Sequence, residues 1–207
     1  NGKIPIICGG TGFYLDTLLE TVQLPNVPPN KLLRKKLEKK TVKELFSKLE
    51  RLDPRRAKSI DKNNKPRLIR ALEIIDYLGF IPKSKKTKSP YDALYIGINI
   101  EKDILRKKIH NRLSARIKKG MFDEVERLHK KGLSWNRMEK LGLEYRYLAR
   151  YFQNKLSYEE TLEQLENAIW QYSKRQLTWF AKNKKITWLK PKNNSTKIDK
   201  LLKKFLQ

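Results

Sequence analysis

The sequence has little of what several common kinds of site require. Its 207 residues include one cysteine and two histidines, which excludes an internal disulfide and a Cys/His metal cluster. No apolar run approaches the roughly 20 residues that a bilayer-spanning helix needs. The first residues are polar and lack the apolar segment of a signal peptide. We therefore expect a cytoplasmic protein with no membrane partner, in which Cys8, flanked by apolar residues, is buried in the core.

Acidic residues are also few in comparison with basic ones. Lysine and arginine number 48, aspartate and glutamate 22, and the net charge is +26 at a pI of about 10.1. Such an excess indicates a polyanionic partner, with a lysine-rich background composition as the alternative. The arginines cluster in particular helical stretches, which favours a nucleic acid.

A short apolar run near the start of the sequence leads into a glycine-rich turn. Residues 4–8 predict a strand buried on both faces, and residues 13–19 have the apolar spacing of a helix. The turn between them leaves its backbone open to a ligand, and the helix start offers free N–H groups to an anion. No Gly-Lys-Ser/Thr follows, so this is not a phosphate-loop motif, and a plain tight turn is the alternative. The turn consists of Gly9, Gly10, Thr11 and Gly12.

The rest of the sequence predicts an α/β core interrupted by helices. Alternation over residues 91–100 and a short apolar segment at 186–189 predict two further strands. Basic helical patterns fill the stretch between a proline-rich exit after the first helix and the first of these strands, and Gly79 is placed to end the last of these helices. One long helical pattern runs from residue 104 to about 132, and Ser157 and Glu160 have the spacing of a capping box. We predict a core from residues 1–28 and 89–207 and a basic helical insertion at 29–88. Because a parallel strand needs neighbours, we expect the sequence to be a fragment of a larger sheet protein.

The helical stretch 172–180 has a composition that suits RNA. Lys174 and Arg175 can contact phosphates, and aromatic or amide groups nearby can meet bases. For the two basic residues the alternative is a solvated helix face. For Trp179 and Phe180 it is simple core packing.

A second helical stretch places two arginines on one face. Arg67 and Arg70 lie three residues apart and could clamp a phosphate together. Glu73 is three residues further on, so an intrahelical ion pair with Arg70 is the alternative for that residue.

Four segments in this order carry a family resemblance. They are residues 9–14, 25–38, 67–73 and 174–180, accompanied by Leu141-Gly142 and Trp188-Leu189. Over essentially its whole length the sequence resembles the tRNA dimethylallyltransferases, also called tRNA isopentenyltransferases, and a bacterial type, since no C-terminal zinc finger is present.

The resemblance implies a fold and an activity. The fold is a nucleotide-binding P-loop-type parallel sheet core, incomplete in this sequence, with a helical insertion domain. The enzyme transfers a dimethylallyl group from dimethylallyl diphosphate to N6 of the adenosine beside the tRNA anticodon, with Mg²⁺, after flipping the base. The phosphate-binding loop and the catalytic aspartate of the family are not found here. We therefore expect this fragment to be inactive alone, with the Mg²⁺ ligands mainly in the missing part. We also expect a monomer.

The resemblance also implies residue roles. Thr11 would hold the flipped adenine, and Arg112 would contact the diphosphate, whose charge grows as it leaves. The expected contacts to the tRNA anticodon stem-loop are Arg34, Asn63, Asn64, Arg67, Arg70, Arg146, Lys174, Arg175, Gln176, Thr178 and Trp179.

One segment departs from the family pattern. Where many members have Gly-Tyr-Arg or Gly-Tyr-Lys, this sequence has Gly142-Leu143-Glu144, so either Arg146 supplies the positive charge or tRNA is not bound at this position. Two other functions remain open: a prenyltransferase acting on free adenine nucleotides, and a non-catalytic RNA-binding module.

Overall fold

The computed structural model describes residues 3–83, 87–191 and 194–207. Within these ranges the chain forms eleven helices and a two-stranded parallel sheet. By contact the chain divides into two compact units, which we call the sheet unit (Asn1–Gly12 and Asp92–Gln207) and the insertion unit (Phe13–Tyr91). The helices and strands, in chain order, are α1 Gly12–Leu18, α2 Lys31–Glu38, α3 Val42–Leu52, α4 Pro54–Ser59, α5 Lys65–Leu78, β1 Ile96–Ile98, α6 Lys102–Lys118, α7 Met121–Lys130, α8 Trp135–Leu141, α9 Leu143–Phe152, α10 Tyr158–Phe180, β2 Thr187–Leu189 and α11 Ser195–Leu206.

The helices of the insertion unit begin and end at residues suited to those positions. Thr41 and Glu44 form a reciprocal capping box at the start of α3. Asp53 ends α3 and caps α4, whose first residue is Pro54. Gly79 ends α5 in the left-handed conformation, with φ 79°, as the sequence predicts. The buried core of this unit includes Leu37, Leu45, Leu49, Leu68 and Leu72.

The sheet unit joins β1 and β2 in parallel register, with Gly97 opposite Trp188. A side chain at Gly97 would meet Trp188, because a Cβ there would lie 2.7 Å from the indole ring. The longest helix, α10, starts at the capping box of Ser157 and Glu160 that the sequence predicts. The core beneath it includes Leu113, Val125, Met138, Leu148 and Leu165.

Two sequence predictions about strands need correction. Residues 4–8 are not a strand: Ile6 is 92% exposed, and Cys8, predicted to be buried, is exposed. An apolar strand is buried only between neighbouring strands, and no strand of the described ranges pairs with this run. The strand expected over residues 91–100 is limited to β1, the part that pairs with β2.

A third correction concerns the helical pattern from residue 104 to about 132. It forms two helices, α6 and α7, because Gly120 adopts a left-handed conformation with φ 83° between them.

The insertion unit begins at Phe13 and ends at Tyr91. The backbone N–H of Thr87 donates to the carbonyl of Thr21 over 3.2 Å. The Tyr91 hydroxyl donates to the Glu20 carboxylate over 3.3 Å. The segment after α1 is thus tied to the end of the insertion. No helix in the described ranges has the length and apolar character needed to cross a membrane.

Candidate active site and nucleic-acid interface

The glycine-rich turn lies against the last third of α10. The Gln176 side chain donates from Nε2 to the carbonyl of Gly10 over 2.9 Å. Gly12 lies against the Trp179 indole so closely that an added Cβ would be 2.1 Å from Cδ1 of the ring. Glycine is therefore required at residue 12 by the approach of an aromatic ring, whereas a Cβ at Gly9 would meet nothing within 4 Å.

Thr11, the residue expected to hold adenine, also faces α10. Its hydroxyl lies 3.5 Å from the hydroxyl of Tyr172, at the edge of hydrogen-bond distance. The ring of Tyr172 lies in turn under the guanidinium of Arg175, at 5.7 Å from the ring centre. Thr11 itself is exposed. Its side chain is consequently held in place from one side and open to a ligand on the other.

Three side chains of α10 thus hold the turn, at positions 172, 176 and 179. Their spacing of four and three residues places them on one helical face. Sequence reasoning assigned Gln176 and Trp179 to tRNA, and the structure places both against the protein's own turn. The sequence places Tyr172 on the buried face of this helix and predicts no binding role for it, although the same spacing groups it with the other two.

The basic residues of α10 lie beside this face and in solvent. Lys174 and Arg175 are both exposed. Thr178 is exposed too, but its hydroxyl donates to the Lys174 carbonyl, four residues earlier in the same helix, over 2.9 Å. Trp179 is 40% exposed, neither fully packed nor free. The end of α10 therefore offers two cations and a partly exposed indole beside the turn.

Arg112 lies on α6, within an ion-pair cluster. Its side chain is 65% exposed, and Nη1 lies 3.8 Å from a Glu144 carboxylate oxygen. Glu144 also accepts from Arg116 over 3.2 Å. The acidic residue that departs from the family pattern therefore forms an ion pair with two arginines of α6.

Neighbouring groups extend this cluster. The hydroxyl of Tyr145 donates to Glu124 over 2.6 Å, and this bond raises the pKa of Tyr145. Arg146 is half-buried, and its Nε donates to the Glu139 carbonyl over 3.0 Å. Its part in this structure is to tie the start of α9 to the end of α8.

The expected tRNA contacts of the insertion unit lie at the start of α5 and on α2. Asn64 caps α5 by accepting from the backbone N–H of Arg67 over 3.2 Å. The side chain of Arg67 is exposed. Asn63 is exposed in the preceding turn, and its N–H donates to Asp61. These hydrogen bonds of Asn63 and Asn64 thus join residues close together in sequence.

Arg34 and Arg70 meet at one carboxylate, that of Glu73. Arg34 on α2 donates two hydrogen bonds to it, both of 2.7 Å. Arg70 donates to it from within α5, which is the ion pair that the sequence left open as an alternative to a phosphate clamp. The sequence offered a signal for Glu73, because it follows Ile69 by four residues on the apolar face of α5.

The described residues do not suggest a magnesium site. They gather no cluster of three or more histidine, cysteine, aspartate or glutamate side chains, and Mg²⁺ prefers carboxylate and other oxygen ligands.

A family model described as IPP transferase matches residues 1–184. Among curated relatives, tRNA dimethylallyltransferase 2 of Citrifermentans bemidjiense is 42% identical over 181 residues, which cover 87% of this chain and 58% of that protein. The protein of the same name from Treponema denticola is 41% identical over 196 residues, 90% of this chain and 66% of that protein. The chain therefore spans about three fifths of the length of these relatives.

The chain also matches solved structures of transferases that act on tRNA or are named tRNA transferases. The chain matches a tRNA isopentenylpyrophosphate transferase of Staphylococcus epidermidis with a TM-score of 0.60 and 29% identity, over 99% of this chain and 70% of that one. It matches a eukaryotic dimethylallyltransferase acting on tRNA with a TM-score of 0.71, over 97% of this chain and 56% of that one. At 20% identity this second likeness shows the fold alone. The chain thus shares its fold with solved transferases of this kind.

Proposed function

Because the chain belongs to the IPP transferase family, we propose that it is part of an enzyme that transfers a dimethylallyl group from dimethylallyl diphosphate to N6 of the adenosine beside the tRNA anticodon. The matched family model and the two curated relatives support this assignment. The departure at Glu144 does not weigh against it, since Glu144 has partners within the sheet unit.

The observation that carries the proposal is the turn held by α10. Thr11 is exposed on a backbone fixed by Gln176 and Trp179, and two exposed cations, Lys174 and Arg175, follow on the same helix. A small hydroxyl side chain on a rigid turn can hydrogen-bond a flipped base, while adjacent cations contact the phosphates of the nucleotides beside it. A hydroxyl group that can bind a base and cations that can bind the neighbouring phosphates therefore lie side by side.

The reaction breaks the bond between the allylic carbon and the diphosphate oxygen. The adenine N6 forms the new bond to that carbon, loses one proton, and diphosphate leaves with the electron pair of the broken bond. Arg112 is exposed and held only loosely by Glu144, so it can turn toward the leaving diphosphate. The part of this chain in catalysis is then to bind and orient, and none of its described residues is assigned as the base.

The remaining details of the proposal rest on family membership. We propose that the RNA contacted is the anticodon stem-loop, that Mg²⁺ accompanies the diphosphate on ligands outside the described residues, and that the protein acts as a cytoplasmic monomer. Arg34, Asn63, Asn64, Arg67 and Arg70 would contact the RNA from the insertion unit. Sedimentation with and without tRNA tests the monomeric state.

A transfer assay tests the function. The full-length gene product is incubated with unmodified tRNA, Mg²⁺ and labelled dimethylallyl diphosphate, and the label is located by nuclease digestion. Label on the adenosine beside the anticodon is the expected result. Label on AMP but not on tRNA would move the protein to the nucleotide-prenylating enzymes. RNA binding with no transfer to either acceptor would leave a non-catalytic RNA-binding module.

A variant pair refines the same assay. Arg112→Ala removes the cation proposed to meet the diphosphate, so we expect turnover to fall by roughly tenfold or more, whereas tRNA affinity changes little. Arg127→Ala is the matched control, because Arg127 is an exposed arginine of α7 with no assigned role.

A further inference from the structure

Glu73 is a buried carboxylate in a unit dominated by basic surface. Only 1% of its side chain is exposed, and it lies among the apolar residues of α5. A carboxylate in such a place is stable only if several donors satisfy it. The structure supplies donors from the start of α2 and from α5 itself.

The first of these donors is Arg34, from α2. Its Nε and one terminal nitrogen each donate to a different oxygen of Glu73, so the planar guanidinium meets the carboxylate edge to edge. The backbone N–H of Asn30, the residue that caps α2, donates to the same carboxylate over 2.7 Å. Glu73 thereby fixes both the start of α2 and the direction of its arginine.

The second arginine, Arg70, is fixed at both of its terminal nitrogens. One donates to Glu73 and the other to the carbonyl of Val27 over 2.9 Å. Hydrogen bonds from Arg34 and Arg70 and from the Asn30 backbone lower the pKa of Glu73 to about 2, so the carboxylate stays charged at neutral pH. Two guanidinium groups are thus held by one anion, with a net charge of +1 for the three side chains.

Both arginine side chains remain partly exposed. The side chain of Arg34 is 41% exposed and that of Arg70 is 36% exposed. An arginine whose rotamer is already fixed loses less entropy when it binds than a free lysine or arginine does. The geometry of the two arginines is therefore set before any ligand arrives.

We propose that Glu73 is a positioning residue, which holds Arg34 and Arg70 as a preformed fork for backbone phosphates of the RNA. The inference rests on the proposed function, because it takes RNA to be the ligand. The inference adds a new role to the proposed function. RNA affinity depends on Glu73, a buried residue that is negatively charged, as RNA itself is.

The sign of one substitution separates positioning from bulk charge. Glu73→Gln removes a negative charge, so a general electrostatic attraction predicts tighter RNA binding at low salt. Positioning predicts weaker binding, by roughly tenfold, because the amide replaces one of the two acceptor oxygens by an NH2 donor. It therefore cannot keep all four hydrogen bonds, and the fork is no longer fixed. Glu50→Gln is the matched control: Glu50 is exposed on α3 of the same unit, and its replacement is expected to leave binding unchanged or slightly tighter.

A second variant keeps the test decisive if Glu73→Gln does not fold. Arg34→Lys preserves the charge but cannot make the edge-to-edge pair, and we expect roughly five- to tenfold weaker binding. Arg51→Lys, at an exposed arginine near the end of α3, is the control expected to match the wild type.

The measurement is fluorescence anisotropy of a labelled anticodon stem-loop RNA over a series of salt concentrations. It is made at a temperature where circular dichroism shows each variant to be folded. The slope of log K against log salt is negative, and its magnitude should decrease by roughly 0.7 to 0.9 for each phosphate that the variant no longer binds. A purely structural role would not produce this effect.

The outcomes are distinct. Weaker binding and a smaller slope for Glu73→Gln or Arg34→Lys, but not for the controls, supports the proposal. Binding equal to that of the matched control, or tighter binding by Glu73→Gln, overturns it while the proposed function stands. No RNA binding by the wild-type chain contradicts the RNA-binding part of the proposed function, and the inference falls with it.

Discussion

The cations of the two units differ in how they are held. In the insertion unit, Arg34 and Arg70 share a buried carboxylate and are fixed before a ligand arrives. In the sheet unit, Lys174 and Arg175 are exposed on α10, and the fixed groups are instead the uncharged turn and the side chains that hold it. Under the proposed function, we therefore expect the insertion unit to contribute preformed phosphate contacts and the sheet unit to contribute a preformed base contact.

The largest effect on stability is expected when Arg34 and Arg70 lose Glu73, the carboxylate that both of them bind. Glu73→Ala leaves two guanidinium groups without their acceptor, and we expect the free energy of unfolding to fall by about 3 kcal/mol. Urea unfolding followed by circular dichroism measures it. Glu50→Ala, at an exposed residue of the same unit, should change stability by less than about 0.5 kcal/mol. Equal effects of the two substitutions would remove the distinction between fixed and free charges.

The next effect concerns the fixed turn of the sheet unit. Gly12→Ala places a methyl group into the indole of Trp179, and we expect destabilisation of about 2 kcal/mol from overpacking. Gly9→Ala is the matched substitution in the same turn, where the methyl group meets no atom within 4 Å. Urea unfolding of the two variants side by side should separate them. If Gly9→Ala were the more damaging change, the packing of the turn on α10 would be wrong.

A smaller effect is expected for the exposed cations. Lys174→Ala should weaken RNA binding by about 1 kcal/mol and lower the salt slope by roughly 0.7 to 0.9, with little change in stability. Lys43→Ala, at an exposed lysine on α3, is the comparison. Anisotropy titrations at several salt concentrations measure both quantities. A large decrease in stability on substitution of Lys174 would show that the residue is structural.

The smallest effect is expected from pH in the neutral range. The pKa of Glu73 is lowered to about 2 in the folded chain, below the value of roughly 4.3 for an unperturbed glutamate. Its contribution is therefore fully present above the unfolded pKa and is lost as the pH falls through the folded pKa. The difference in unfolding free energy between the wild type and Glu73→Gln should stay constant from about pH 8 to 5 and shrink below about pH 4. A difference that changed between pH 8 and 6 would point to another titrating group.

Local features of this fold are readable from the sequence. The capping box at Ser157, the stop at Gly79 and the strand β2 follow from residues within a few positions of one another. Residues 4–8 could not be placed in the same way, because an apolar run becomes a strand only when another strand pairs with it. The exposure of Cys8 has the same cause.

The site was predictable in its composition but not in its three-dimensional arrangement. The stretch 172–180 was recognisable as basic and aromatic, yet nothing local shows that Gln176 reaches the carbonyl of Gly10, 166 residues earlier. Arg34 and Glu73 are likewise 39 residues apart in sequence. Such pairs depend on how the helices pack, so a sequence can name the participants without showing which of them meet.

The most direct test of the division between base and phosphate binding compares two RNAs and two variants. The full-length gene product is titrated with an anticodon stem-loop that has either adenosine or uridine at the target position. We expect the wild type to prefer adenosine by roughly tenfold. Thr11→Ala should reduce that preference, whereas Arg34→Lys should weaken binding to both RNAs equally and preserve it. Equal weakening for both RNAs in Thr11→Ala, or a changed preference in Arg34→Lys, would contradict the assignment of base binding to the sheet unit and phosphate binding to the insertion unit.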